Sequence, residues 1–180
     1  MQHKNLICIV GESGSGKTEL SKHLMWKYNW PYISSYTTRP MRPGEVDGVE
    51  HTFVTPEDKP DESEMIAYTK FGDYEYWATK SQITGNPTTY VIDEKGLDWL
   101  KKRFSGIFNI YSIYIRRDDK SGIDSDRQKR DAGREVKDET SYDLVINNNY
   151  GSCESFTEAA GEMIYDMWMD WRYTKLTSII

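Results

Sequence analysis

Apolar residues along the chain fall into blocks of two kinds. Continuous runs occur at "NLICIV" (5–10), "TTYVID" (88–93), "IFNIYSIYI" (107–115) and "DLVIN" (143–147). Each is short and rich in β-branched or aromatic side chains, as expected of strands buried on both faces. Helical spacings of three and four appear elsewhere. Leu97, Leu100 and Phe104 make one stripe, and Phe156, Ala160, Met163, Ile164, Met167, Trp168 and Trp171 make another within 153–172. A further helix is expected from about Lys17 to Tyr28, and a short strand at Tyr32–Ser34. "VEHTFV" (49–54) alternates like a half-buried strand. Residues 65–79 read as two antiparallel strands around the turn "FGDYE". The acidic, proline-marked "TPEDKPDESE" between them reads as a loop or short surface helix.

Buried strands alternating with helices predict an α/β fold: a parallel sheet with helices on both faces. The block from about 35 to 87 breaks that rhythm and reads as an inserted small β-rich lobe. The core then comprises about 1–34 and 88–180 of a single 180-residue domain.

Charge narrows the partners. The net charge is −6, which disfavours generalised binding to nucleic acid or anionic membranes. No apolar run approaches membrane-spanning length. "LICIV" is too short for a signal peptide and runs straight into a glycine loop. The two cysteines, Cys8 and Cys153, have no metal or redox spacing, and Cys8 reads as a packed free thiol. A reducing cytoplasm is the expected setting. Arginine is placed unevenly: two of nine lie in "SYTTRPMRPGE" (35–45) and five between Arg116 and Arg134.

"GESGSGKT" (11–18) matches G-x-x-x-x-G-K-[ST], with a strand before it and a helix after. Gly11, Gly14 and Gly16 let the backbone curl so that N–H groups, including those of Ser13 and Ser15, point at phosphate oxygens, and the helix adds its positive end. Lys17 then reaches the β- and γ-phosphates, and the Thr18 hydroxyl ligates Mg²⁺. This predicts a three-layer P-loop NTPase-type core that binds a nucleoside triphosphate.

Arg39 and Arg42 each precede a proline, which drives both into extended conformations. On a polyproline-II course they project from one side, roughly 9 Å apart, and converge on one phosphate. The alternative is a solvated basic turn paired with Glu45 and Asp47. Beside a P-loop, a second phosphate site implies an acceptor that is itself a phosphate ester.

"SYTTRPMRPGEVDGVEHTFV" (35–54) closely resembles the nucleotide-monophosphate-binding segment of guanylate kinases, roughly S-x-T-T-R-x-x-R-x-G-E-x-x-G-x-x-Y-x-F. "VIDEKG" (91–96) and "YDLVINN" (142–148) are similar to that family's I-D-x-Q-G and D-x-V-I-x-N elements. The resemblance implies phosphoryl transfer from Mg·ATP to a nucleoside monophosphate, most plausibly GMP. It places the acceptor phosphate on Ser35, Arg39, Arg42, His51 (where the family has tyrosine) and Tyr76, with Glu45 orienting the arginines. Thr79 takes the place of the hydroxyl that touches guanine. Asp93 fits the acidic residue near the acceptor, with a helix cap as its other reading. Ala67 stands where the family has its guanine-reading glutamate, with Glu64 and Glu75 out of register, so another monophosphate or deoxynucleotide stays open. A short lid is expected over about 116–138. Arg127, Arg130 and Arg134 share one helical face there and bring charge to the transferring group, or else pair with Asp124, Asp126, Asp131 and Glu135. A P-loop ATPase using "YVIDE" (90–94), or a non-catalytic binding module, are the rival readings.

Overall fold

The computed structural model describes residues 3–119, 131, 132, 134 and 137–177. Five parallel strands form its central sheet in the order β2-β7-β1-β8-β9: β1 Lys4–Gly11, β2 Tyr32–Ile33, β7 Thr88–Val91, β8 Phe108–Arg116 and β9 Leu144–Asn147. The first strand in sequence is therefore the middle one in space. From Asn5 to Gly11 it is wholly buried, which explains its unbroken apolar run.

Its alternating side chains divide the interior in two. Leu6, Cys8 and Val10 face one cluster with Leu97, Leu100 and Phe104 of α2 (Glu94–Phe104). Ile7 and Ile9 face the other, with Leu20 and Leu24 of α1 (Lys17–Tyr28) and Phe156, Ala160, Ile164 and Trp168 of α3 (Cys153–Thr177). The expected three layers, helix–sheet–helix, follow from this alternation. The α3 stripe has one departure: Met163 is 43% exposed, at the edge of the buried face. Among the described residues no helix is long and apolar enough to cross a membrane.

A second sheet, ordered β4-β3-β6-β5, is built from β3 Tyr36–Thr37, β4 Thr52–Phe53, β5 Met65–Phe71 and β6 Tyr74–Thr79. The β5–β6 hairpin turns at Gly72 and Asp73, inside "FGDYE". The strand expected over 49–54 shortens to Thr52–Phe53. Gly48 at φ +79° and the Val49 N–H bond to the Val46 carbonyl keep the preceding residues in a turn. The acidic stretch forms two 3₁₀ turns, Pro56–Asp58 and Glu62–Glu64.

Candidate active site

Every group considered below sits at or beyond the carboxyl ends of the parallel strands, or on the second sheet facing them. The glycine loop leaves β1 directly. Gly16, at φ +94°, caps α1, and a Cβ there would lie 2.7 Å from the Phe156 ring. At Gly11 a Cβ would meet the Ile115 carbonyl oxygen at 2.4 Å. The loop is braced from behind. Asn148 Nδ2 donates to the Ser15 carbonyl at 2.9 Å, and Arg117 Nη1 to the Gly14 carbonyl at 2.8 Å. Lys17 Nζ donates to the Glu12 carbonyl at 2.5 Å and lies 3.4 Å from Ser15 Oγ. On one side the loop opens on a cleft shared by Thr18, Arg117, Asn148 and Tyr150.

On the other side Ser13 and Lys17 share a cleft with Ser35, His51 and Arg42. Beyond Arg42 the segment bearing the arginines leaves its extended course. Arg42-Pro43-Gly44-Glu45 closes a turn: Glu45 N–H bonds to the Arg42 carbonyl at 3.1 Å, with Gly44 at φ +84°. Proline then glycine in the two central positions is the pairing a type II turn requires. The turn starts at Arg42 and brings Glu45 back to both arginines: Arg42 Nη1 lies 3.9 Å from the Glu45 Oε1 that Arg39 Nη2 meets at 2.9 Å. Arg42 borders the cleft, and Arg39 is buried, 6% exposed. Arg39 Nη1 and Nη2 each donate to a Glu45 oxygen at 2.9 Å, and its guanidinium lies 5.3 Å from the Phe53 ring centre. Glu45 also accepts the Arg42 N–H at 2.7 Å. Burial alone would raise the Glu45 carboxyl, but Arg39 and the Arg42 N–H outweigh it and hold it below its ordinary range. Asp47 instead accepts the Phe53 N–H at 2.8 Å.

The cleft continues between β5, β6 and the end of β7, where Ala67, Thr69, Phe71, Tyr76, Tyr90 and Asp93 line it. His51 stacks edge-on against Tyr76, 5.6 Å between ring centres. Asp93 caps α2 by accepting the Gly96 N–H at 2.9 Å and also accepts the Thr69 hydroxyl at 3.1 Å. Burial pushes its carboxyl above the usual range in spite of those two bonds. Thr79 stands apart from this group. Its hydroxyl lies 2.9 Å from Ser81 Oγ, and its N–H donates to Gln82. Glu75 is drawn away by Lys59 and Tyr68.

Arg127 and Arg130 lie outside the described residues. Arg134 faces the cleft with Ser13 and Lys17. Its Nε and Nη2 donate to the two oxygens of Glu94, at 3.1 and 2.5 Å, and its Nη1 to the Gly11 carbonyl. Asp131 accepts the Ser13 N–H at 2.9 Å and the Ser13 hydroxyl at 3.1 Å.

The guanylate kinase family profile matches residues 3–159 of this chain. The chain belongs to the guanylate kinase family. It is 31% identical to guanylate kinase of Rhodopseudomonas palustris over 177 residues, covering 84% of this chain and 79% of that one. It is 28% identical to guanylate kinase of Legionella pneumophila over 179 residues, covering 88% and 83%. The crystal structure of guanylate kinase from Anaplasma phagocytophilum shares the fold, with a TM-score of 0.67 at 21% identity, covering 92% of this chain and 87% of that one.

Within this family member, the sequence singled out the glycine loop and the acceptor segment but assigned no role to Thr69, Asn148 or Tyr150; Glu94 entered only within the rival ATPase motif "YVIDE", and Asp131 only as a partner for the lid arginines, a contact present at 3.8 Å from Arg134. Arg117 fell within the expected lid span and was given no contact with the glycine loop. One signal pointed to Glu94, Arg117 and Asn148: each lies within three residues of the carboxyl end of a strand, where open parallel sheets bind ligands.

Proposed function

We propose that this guanylate kinase family member transfers the γ-phosphoryl group of ATP to GMP, giving ADP and GDP. The observation that carries the reading is one shared space: Ser13 and Lys17 of the glycine loop face the same cleft as Ser35, His51 and Arg42. In this reading Gly11, Ser13, Gly14, Ser15, Gly16 and Lys17 cradle the donor phosphates, and the second sheet forms the acceptor lobe. Ser35, Arg42, His51 and Tyr76 hold the acceptor phosphate. Arg39 and Glu45 shape the turn that presents Arg42, and Thr69 and Asp93 face the base. An oxygen of the GMP phosphate attacks the γ-phosphorus as the bond to the β,γ-bridging oxygen breaks, and that electron pair leaves with ADP. The attacking oxygen is already anionic, so no general base is needed. Lys17, Arg134 and the loop N–H groups meet the charge that develops, with Arg127 and Arg130 as further candidates in the lid.

The Thr18 hydroxyl fits a magnesium ion. It is a hard oxygen donor on the first turn of α1, and it borders both clefts that flank the loop. Thr18 would hold the ion, whose chemistry would be to neutralise phosphate charge. We place the enzyme in the cytoplasm, with no membrane or nucleic-acid partner required.

One observation favours a second acceptor. Ala67 lines the base end of the cleft, where it presents no carboxylate to guanine. An ADP-release assay across GMP, dGMP, AMP, CMP, UMP and dTMP tests both readings. The highest kcat/KM is expected for GMP; a higher value for another monophosphate selects the second reading. ATP hydrolysis that is indifferent to every monophosphate refutes both.

A further inference from the structure

We propose that Glu94 is a positioning residue for phosphoryl transfer, holding Arg134 so that its guanidinium and the Ser13 N–H flank the place where the transferring group sits. This rests on the functional reading above and adds a residue to it.

Glu94 is the first residue of α2, just past the carboxyl end of β7. The Ile92 N–H bonds to the Ile9 carbonyl at 3.1 Å, which ties this strand end to the strand that feeds the glycine loop. The Glu94 side chain is 5% exposed and that of Arg134 9%. The neighbouring Arg116 and Arg117 side chains, at 43% and 33%, are far more open. The pair is bidentate, the geometry that fixes a guanidinium plane as well as its position. A third hydrogen of Arg134 goes to the Gly11 carbonyl, so the same side chain spans α2 and the start of the loop. An arginine has five N–H hydrogens. Once these three are engaged, the second hydrogens of Nη1 and Nη2 remain for other anions.

Asp131 supplies an independent observation. Its carboxylate accepts both the N–H and the hydroxyl of Ser13, and its Oδ1 lies 3.8 Å from Arg134 Nη1. A carboxylate thus stands between a loop amide and Arg134, in the cleft that also holds Lys17, Ser35 and His51. Its oxygens stand in for those of a phosphoryl group. The space between Ser13 and Arg134 is one in which this fold stabilises negative charge, and Glu94 fixes its far wall. A buried pair whose only duty was stability would be a weak device, because such pairs are often no better than apolar replacements.

The test is a kinetic cycle on the full chain with Mg·ATP and GMP: wild type, Glu94→Gln, Glu94→Asp, Arg134→Gln and the double variant Glu94→Gln/Arg134→Gln. Arg134→Gln is expected to lower kcat about 100-fold, the scale for losing one donor to developing charge. Glu94→Gln should lower kcat about tenfold, with both KM values within about twofold, and Glu94→Asp should recover part of the loss. The double variant should be no slower than Arg134→Gln alone, because Glu94 acts through the arginine. The double variant removes both charges of the Glu94–Arg134 pair, and Asp131 keeps its two bonds to Ser13, so it keeps the fold should Glu94→Gln not; Glu94→Asp then takes the place of the single variant. Wild-type kcat in the Glu94 variants, or losses that multiply in the double variant, overturn the proposal and leave the functional reading intact. A wild-type protein that turns over no monophosphate overturns both.

Discussion

Replacing Glu45 by glutamine keeps the side chain's shape and removes one charge. In the folded protein that charge faces Arg39 through two hydrogen bonds of 2.9 Å and faces the Arg42 N–H at 2.7 Å. The Arg39 and Glu45 side chains are 6% and 11% exposed, so solvent screens the pair weakly. With charge centres about 4 Å apart and an effective dielectric constant near 20, the lost attraction is about 4 kcal/mol. The glutamine amide group adds a donor-to-donor conflict with either Arg39 or Arg42. A buried pair broken on one side typically costs about 3–5 kcal/mol, and that is the expected loss here. It corresponds to a fall in Tm of roughly 10 °C for a domain of this size. Urea denaturation of wild type, Glu45→Gln, Arg39→Met and Arg39→Met/Glu45→Met, followed by tryptophan fluorescence, measures it. The double variant should lose less than either single one.

The same pair sets a pH dependence. Glu45 has a depressed carboxyl pKa in the folded state, so the unfolded chain binds its proton first as the solution is acidified. Its stabilising contribution is therefore full above the ordinary value of 4.5 and is lost as pH falls through the lower, folded value. The gap between wild type and Glu45→Gln should stay constant from neutral pH down to about 4.5, then close as pH falls through the lower, folded value. A gap below about 1 kcal/mol at pH 7, or one that persists undiminished after the carboxyl is protonated, would refute the reasoning.

Arg42→Ala should raise the KM for GMP by about tenfold or more while moving Tm by no more than about 2 °C, since a partly exposed side chain at the cleft contributes little to stability; steady-state kinetics and a melting curve separate the two. Gly16→Ala should cost about 1–3 kcal/mol, from the Cβ placed 2.7 Å from Phe156 at φ +94°, and should weaken ATP binding in calorimetry. Asp93→Asn should stabilise the protein at neutral pH, because asparagine caps a helix as well as aspartate and needs no buried charge. Burial raises the Asp93 carboxyl, so its unfavourable contribution is absent below the ordinary value of 3.8 and grows as pH rises through the folded value. The Tm advantage of the variant should therefore vanish in acid, and an advantage independent of pH would count against the burial argument.

What the sequence disclosed was what local rules decide. The bounds of α1, Lys17–Tyr28, were legible because the glycine loop fixes its start and the pattern its end. The buried strands announced themselves by apolar runs, and the hairpin by "FGDYE". The link of Arg39 and Arg42 to Glu45 was readable from the family's orienting glutamate, but their unequal burial was not. Two X-Pro steps predict extended backbone at each arginine, yet do not say that the Arg39 side chain is 6% exposed while that of Arg42, beside the cleft, is 34% exposed. The distant contacts of Glu94 and Asp131 were hidden for another reason. Their partners are 40 and 118 residues away along the chain, Arg134 and Ser13 respectively, and no period in a sequence reports such a meeting. Thr79 shows the converse: a motif match aligns the residue, but the local cap with Ser81 and Gln82 decides where its hydroxyl goes.

The position of β1 bears on how the protein is made. Of this sheet's strands, the one synthesised first occupies the centre, and its two neighbours, Thr88–Val91 and Phe108–Arg116, follow later. The glycine loop that follows it is then braced by Asn148 and backed by Phe156. A nascent chain therefore carries the nucleotide motif without the walls that shape it until those later residues are made. ATP binding becomes a property of the chain only after β9 and the first turn of α3 have emerged, so nucleotide retention by stalled translation products of graded length would mark the moment at which this fold closes.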